Sequence, residues 1–255
     1  MLLTFDLGNT NVMVGGFEGQ TPVFTARLYT SPLRTADEWA VLLRSTLDLY
    51  GVRADNIDGA AISSVSPAVT RPLADGAEML CGHAPLIVGP GIKTGLDIVI
   101  DNPAQLGGDL VCGAIGALAR AVPPIIIIDM GTATKLSALD ARGRFIGCAI
   151  SPGVRSSLES LSSTAALLPH IGLEPPPRVI GRNTVDSMNS GVVLGTASML
   201  DGMVARMERE MGARCAVFAT GGLAEAIYPH MDREVSYCPA LLLEGLRLIW
   251  ERNKK

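Results

Sequence analysis

Two aspartates, Asp6 and Asp129, each close an apolar run and open a short glycine turn rich in hydroxyl and amide groups. The first turn reads Asp6-Leu7-Gly8-Asn9-Thr10-Asn11, followed by Val12 and Met13. The second reads Asp129-Met130-Gly131-Thr132-Ala133-Thr134, followed by Lys135. A carboxylate at a strand end can hold a hydrated Mg²⁺, because that ion keeps several waters and uses few protein carboxylates. Glycine lets the backbone approach a phosphate, and turn amides with Asn9, Thr10 or Thr132 can donate to its oxygens. Either motif alone reads equally well as a polar hairpin turn. Their recurrence near half the chain length apart favours a pair of turns that clamp a polyphosphate and its cation.

Three further segments carry polar groups at turn positions. Thr220-Gly221-Gly222 follows a buried strand and would let a nucleotide lie against bare backbone near a helix start. Its alternative is a plain strand-to-helix turn. Asn102-Pro103-Ala104-Gln105-Leu106-Gly107-Gly108-Asp109 ends in a carboxylate that opens an apolar helix. Facing a cleft, Asp109 would accept a proton from a substrate hydroxyl. Otherwise it is a helix-start aspartate stabilised by the dipole. Asn183-Thr184, with Gly191 and Gly195 beyond it, reads as a helix start with small residues for close packing.

The elements that must position these groups alternate between strand and helix. Residues 2–16 and 125–139 each read as strand, glycine turn, strand. Residues 60–65, 85–88 and 215–219 read as further buried strands. Helical spacing runs over 37–50, 106–121, 156–168, 190–211 and 241–252. The expectation is an α/β chain of two similar lobes, 1–120 and 121–255.

Composition narrows the function. The 255 residues are 48% apolar and 18% charged, which supplies a core and argues against disorder. A net charge of −4 without a long run of either sign gives no basis for binding nucleic acid or a membrane surface. The run Ile125–Ile128 is far too short to span a bilayer, and an N-terminus carrying Asp6 is not a secretory signal. Five dispersed cysteines and three scattered histidines form no metal-ligand spacing and fit a reducing cytoplasm.

The order of motifs resembles that of the type III pantothenate kinases. Asp-Leu-Gly-Asn-Thr-Asn at 6–11, Ile-Ser-Ser-Val-Ser-Pro at 62–67 and Lys-Thr-Gly-Leu-Asp-Ile at 93–98 come first. Asn-Pro-Ala-Gln-Leu-Gly-Gly-Asp at 102–109 and Asp-Met-Gly-Thr-Ala-Thr at 129–134 follow. Gly-Cys-Ala-Ile-Ser-Pro-Gly at 147–153, Asn183-Thr184, Thr220–Gly222 and Pro-Ala-Leu-Leu-Leu-Glu-Gly-Leu at 239–246 complete the series. The resemblance implies the duplicated actin-like ATPase fold, with two ribonuclease-H-like lobes whose mixed sheets are flanked by helices. It implies transfer of phosphate from ATP to pantothenate, giving 4′-phosphopantothenate for coenzyme A synthesis. It also implies Mg²⁺, a monovalent cation (K⁺ or NH₄⁺), and a homodimer with the active site near the interface. Residues 6–13 match the first phosphate loop, Thr132, Gly221 and Gly222 the ATP site, and Asp129, with Asp6, the cation site. Asp109 matches the catalytic base, and Ile100, Gly107, Gly108, Leu110 and Thr184 fall in the pantothenate-contacting positions. Four positions depart from the family pattern. Leu110 replaces an arginine, Gly113 an asparagine, Ile100 an aromatic residue, and Lys135 a threonine. Two alternatives follow from these departures: a non-catalytic or regulatory paralogue of the same fold, or a small-molecule kinase with an altered acceptor.

Overall fold

The apolar N-terminal run forms β1 (Leu2–Leu7), the central strand of a five-stranded sheet in a computed structural model that describes residues 1–254. After the glycine turn, β2 (Asn11–Glu18) runs back antiparallel to β1, and β3 (Thr21–Tyr29) runs antiparallel to β2. On the other side β4 (Gly59–Ser64) and β5 (Leu86–Ile87) add in parallel, giving the order β3-β2-β1-β4-β5. The second sheet repeats this plan strand for strand. Its members are β6 (Ile125–Met130), β7 (Ala133–Leu139), β8 (Phe145–Pro152), β9 (Ala216–Thr220) and β10 (Ser236–Tyr237), in the order β10-β9-β6-β7-β8. The β6–β7 and β7–β8 pairs are antiparallel, and β6–β9 and β9–β10 are parallel. Asp6 and Asp129 are both the fifth residue of the central strand, each half-buried between buried neighbours.

The first compact unit holds Met1–Leu96, Asp101–Ala119 and the segment from Ala240 onward. Leu3, Phe5 and Leu7 point to one face of its sheet, where Trp39, Leu43 and Leu47 of α1 (Ala36–Leu49) join Val69, Leu73 and Ala77 of α2 (Pro67–Cys81) in the core. Period-two alternation sends Thr4 and Asp6 to the opposite face. There α3 (Gly108–Leu118) packs.

The second unit holds Asp97–Ile100 and Arg120–Pro239. Ile126, Ile128 and Met130 point toward α4 (Val154–Thr164), α5 (Thr184–Asn189) and α6 (Gly195–Met211). Helices α5 and α6 are joined by a π-turn over Ser190–Leu194, so this helical run starts before the 190 read from spacing.

The last helix, α7 (Leu241–Asn253), is where the lobe boundaries differ from the division at 120. It packs with α3, β1 and β4 of the first unit. The reason is its apolar stripe of Leu241, Leu243, Leu246 and Ile249, which covers the Asp6-bearing face of the first sheet. Residues 97–100 join the second unit because Ile98 bridges Phe145, and Val99 N donates to Phe145 O at 2.8 Å. Among the described residues no helix is long and apolar enough to cross a membrane.

Candidate active site

In the first unit the turn after β1 is held by its own backbone. Gly8 N donates to Asn11 O at 3.0 Å, and a Cβ at residue 8 would crowd that oxygen at 3.1 Å. Thr30, buried at the end of β3, clamps the loop from behind. Its amide donates to Thr10 O at 3.0 Å and its hydroxyl to Gly8 O at 2.9 Å. Asn9, Thr10 and Asn11 stay exposed, while Leu7 and Val12 anchor the turn in the core and Met13 is half-buried. The result is a fixed polar loop whose side chains face outward beside Asp6.

Asp109 lies in the first turn of α3, whose start packs against Ser63 and Ser64 at the end of β4. A Cβ at Gly108 would sit 3.1 Å from Ser63 Oγ, and one at Gly107 would sit 2.5 Å from Asp109 Oδ1. The glycine pair therefore brings the helix start against β4 and leaves room for the Asp109 carboxylate to fold back. Ser63 is the register partner of Asp6 across β1–β4. The buried thiol of Cys112 lies one turn further along α3. Burial pushes its pKa well above the ordinary thiol value, the Asp6 carboxylate and then Asp109 push it further, and a contact with Ser63 opposes them. Through Ser63, the start of α3 that bears Asp109 meets the strand pair that bears Asp6. Leu110 is half-buried in the same turn, and Gly113 faces Leu242, whose Cδ1 would lie 3.7 Å from an added Cβ.

In the second unit Gly131 N donates to Ala133 O at 3.1 Å, closing the equivalent turn. Thr132 is exposed, and its carbonyl accepts from Ser156 Oγ at 3.4 Å. Gly153 is required beside it, since a Cβ there would land on Thr132 O. Thr220-Gly221-Gly222 follows β9 directly. Gly221 has φ +94°, and its position for a Cβ is only 2.6 Å from the Met130 backbone, so no other residue fits this crossing over the end of β6. Gly222 is exposed. Thr184 begins α5, capped by Asn183, whose Oδ1 accepts from Asp186 N at 2.8 Å. Thr184 is exposed and lines an open groove with Arg182, Ser187, Leu161 and Leu168. Ile100 is half-buried in the strand-like segment that pairs with Phe145.

Asp129 differs sharply from Asp6. Its register partner across β6–β7 is Lys135, and Lys135 Nζ lies 2.8 Å from Asp129 Oδ2 with both side chains more than four-fifths buried. Thr220 is its register partner on the β9 side. A free monovalent cation at Asp129 does not fit this arrangement. It would compete with an ammonium already on the carboxylate, and two unit charges about 4 Å apart repel by about 4 kcal/mol at an effective dielectric of 20. Sequence reasoning marked Lys135 as a departure without seeing its partner; the antiparallel register of the two strands around Gly131-Thr132 was the available signal. Thr30 was missed as a support because strand β3 carried no readable pattern, and Ser63 because the buried strand read over 60–65 does not say which residue of β1 it faces.

Solved structures share the duplicated sheets. The activator of 2-hydroxyisocaproyl-CoA dehydratase from Clostridium difficile, solved with bound ADPNP, superposes with a TM-score of 0.56 at 13% identity, over 99% of this chain and 96% of that one. A ROK hexokinase from Thermus thermophilus gives 0.51 at 14% identity over 99% of each chain. At such identities the likeness shows the fold, a duplicated actin-like arrangement. Sequence similarity is closer elsewhere. A type III pantothenate kinase from an Exiguobacterium species is 42% identical over the full length of both chains. One from Moorella thermoacetica is 38% identical over 99% of this chain and 100% of its own. The family model for type III pantothenate kinase matches residues 2–206, and the chain belongs to that family.

Proposed function

We propose that this protein transfers the γ-phosphoryl group of ATP to the terminal hydroxyl of pantothenate, forming 4′-phosphopantothenate at the start of coenzyme A synthesis. Family membership supports the substrates. The observation that carries the chemistry is the packing of the α3 start, which bears Asp109, against Ser63, the register partner of Asp6; it brings a carboxylate base to the strand pair that carries the phosphate-type turn. Asp109 orients the pantothenate hydroxyl and takes its proton as the oxygen bonds to the γ-phosphorus and the bond to ADP breaks. The side chains of Asn9, Thr10 and Asn11 donate to phosphate oxygens, and the family resemblance also assigns Thr132, Gly221 and Gly222 of the second unit to ATP. Such transfer relies on positioning and charge neutralisation rather than covalent chemistry. Asp6, half-buried at a strand end beside the exposed residues Asn9–Asn11, would hold an Mg²⁺, which would supply charge neutralisation on the phosphates. The acceptor positions that the family resemblance assigns are Gly107, Gly108 and Leu110 in the first unit and Ile100 and Thr184 in the second. We place the enzyme in the cytoplasm as a homodimer whose acceptor pocket lies near the subunit interface.

Leu110 and Gly113 favour one second reading, a kinase of the same fold with a different hydroxylated acceptor. Leu110 has no hydrogen-bond donor in its side chain, where a charged one would contribute about 1.5–3 kcal/mol to acceptor binding. ADP release with Mg·ATP, measured with pantothenate and with a panel of small alcohols, separates the two. Pantothenate-dependent ADP release supports the proposal. Release driven only by another alcohol gives the second reading, and none with any acceptor gives the non-catalytic paralogue.

A further inference from the structure

We propose that Lys135 is a built-in monovalent cation: its ammonium occupies the place beside Asp129 that the family resemblance assigns to free K⁺ or NH₄⁺, so this enzyme works without either. The inference rests on the phosphoryl-transfer reading for its activity arm only. Three observations carry it. Lys135 Nζ is 2.8 Å from Asp129 Oδ2, a charge-assisted hydrogen bond with both side chains largely buried. The pair is fixed by strand register, since Lys135 and Asp129 lie directly opposite across β6–β7, so the ammonium is delivered by the sheet. The duplication supplies an internal control. The position opposite Asp6 in the first sheet is Met13, which carries no charge, so the lysine is specific to the second turn. An alkylammonium and K⁺ carry the same charge, and NH₄⁺ is the alkylammonium head without its stem. A tethered ammonium therefore supplies the positive charge next to the Thr132 turn without binding from solution.

The test compares the full-length protein with Lys135→Thr and Lys135→Met in choline, K⁺ or NH₄⁺ chloride at equal ionic strength. Two readouts are taken: melting temperature and pantothenate-dependent ADP release. Wild type is expected to give the same values in all three salts. Each variant is expected to lose about 10- to 100-fold of turnover in choline, the range for a hydrogen bond to a charged group. K⁺ or NH₄⁺ is expected to restore that turnover and raise the melting temperature of Lys135→Thr. Clear activation or stabilisation of wild type by K⁺ or NH₄⁺ would overturn the proposal. So would folded variants whose turnover and melting temperature ignore the salt. If no protein releases ADP in any salt, the kinase reading fails separately, and the melting temperatures still decide whether Lys135 fills the cation's place.

Discussion

Asp109 carries the heaviest chemical assignment of any single residue, and its removal should be correspondingly costly. Asp109→Asn keeps the size of the side chain and loses the base. It should lower kcat at least ~100-fold, the low end for general-base catalysis. Steady-state kinetics checks this, and near-wild-type turnover would mean that another group takes the proton. Cys112 offers a test of the environment around that carboxylate. A thiol whose pKa is raised stays protonated as pH climbs, and only the thiolate is nucleophilic. Cys112 should therefore resist alkylation in the native protein between about pH 7 and 9 and react only on unfolding, as read by peptide mass spectrometry. The polar turns were legible at this scale because glycine, hydroxyl and amide residues at strand ends have few other uses. The pairing of Lys135 with Asp129 was not legible, because it depends on which residues face each other across two strands.

Elements hold these residues through close approaches that single glycines permit. Helices α3 and α7 touch where a Cβ at Gly245 would land on Cys112 O, and one at Gly116 on Leu241 O. Gly245→Ala should destabilise the protein by about 1–3 kcal/mol by overpacking. It should also reduce activity by shifting the helix that carries Asp109. Urea unfolding with parallel kinetics measures both, and an unchanged midpoint would show that the helices slide apart freely. Thr35 makes a smaller, independent contribution. It closes a capping box with Glu38 at the start of α1, with Thr35 N donating to Glu38 Oε2 at 2.7 Å. Thr35→Ala should cost about 1 kcal/mol in the same urea assay without changing kcat, since α1 packs on the face of the sheet away from Asp6. Most helices and the central strands could be read from periodicity. Helix α2 could not, because Pro67, Pro72 and Gly76 break its pattern. Gly76 is there because a Cβ would meet Trp39 Cβ at 2.7 Å, so packing against α1 outweighs helix propensity.

At the scale of the whole molecule, the repeat of Asp-containing turns foretold two sheets of one topology, and the strand orders agree position by position. The return of α7 to the first unit was hidden, because sequence order alone does not say which sheet an amphipathic helix covers. A nucleotide that binds only the folded chain must raise its stability by mass action. Mg²⁺ with a non-hydrolysable ATP analogue at 100 times its Kd should contribute ~2.7 kcal/mol, visible as a higher melting temperature. No shift at saturating analogue would remove ATP from the account. The most direct test of the central claim is to incubate the purified protein with Mg·ATP and pantothenate in choline buffer and quantify both products by mass spectrometry. The account predicts ADP and 4′-phosphopantothenate in equal amounts, abolished together in Asp109→Asn. ADP formed without phosphopantothenate, or neither product from a folded enzyme in any salt, would contradict it.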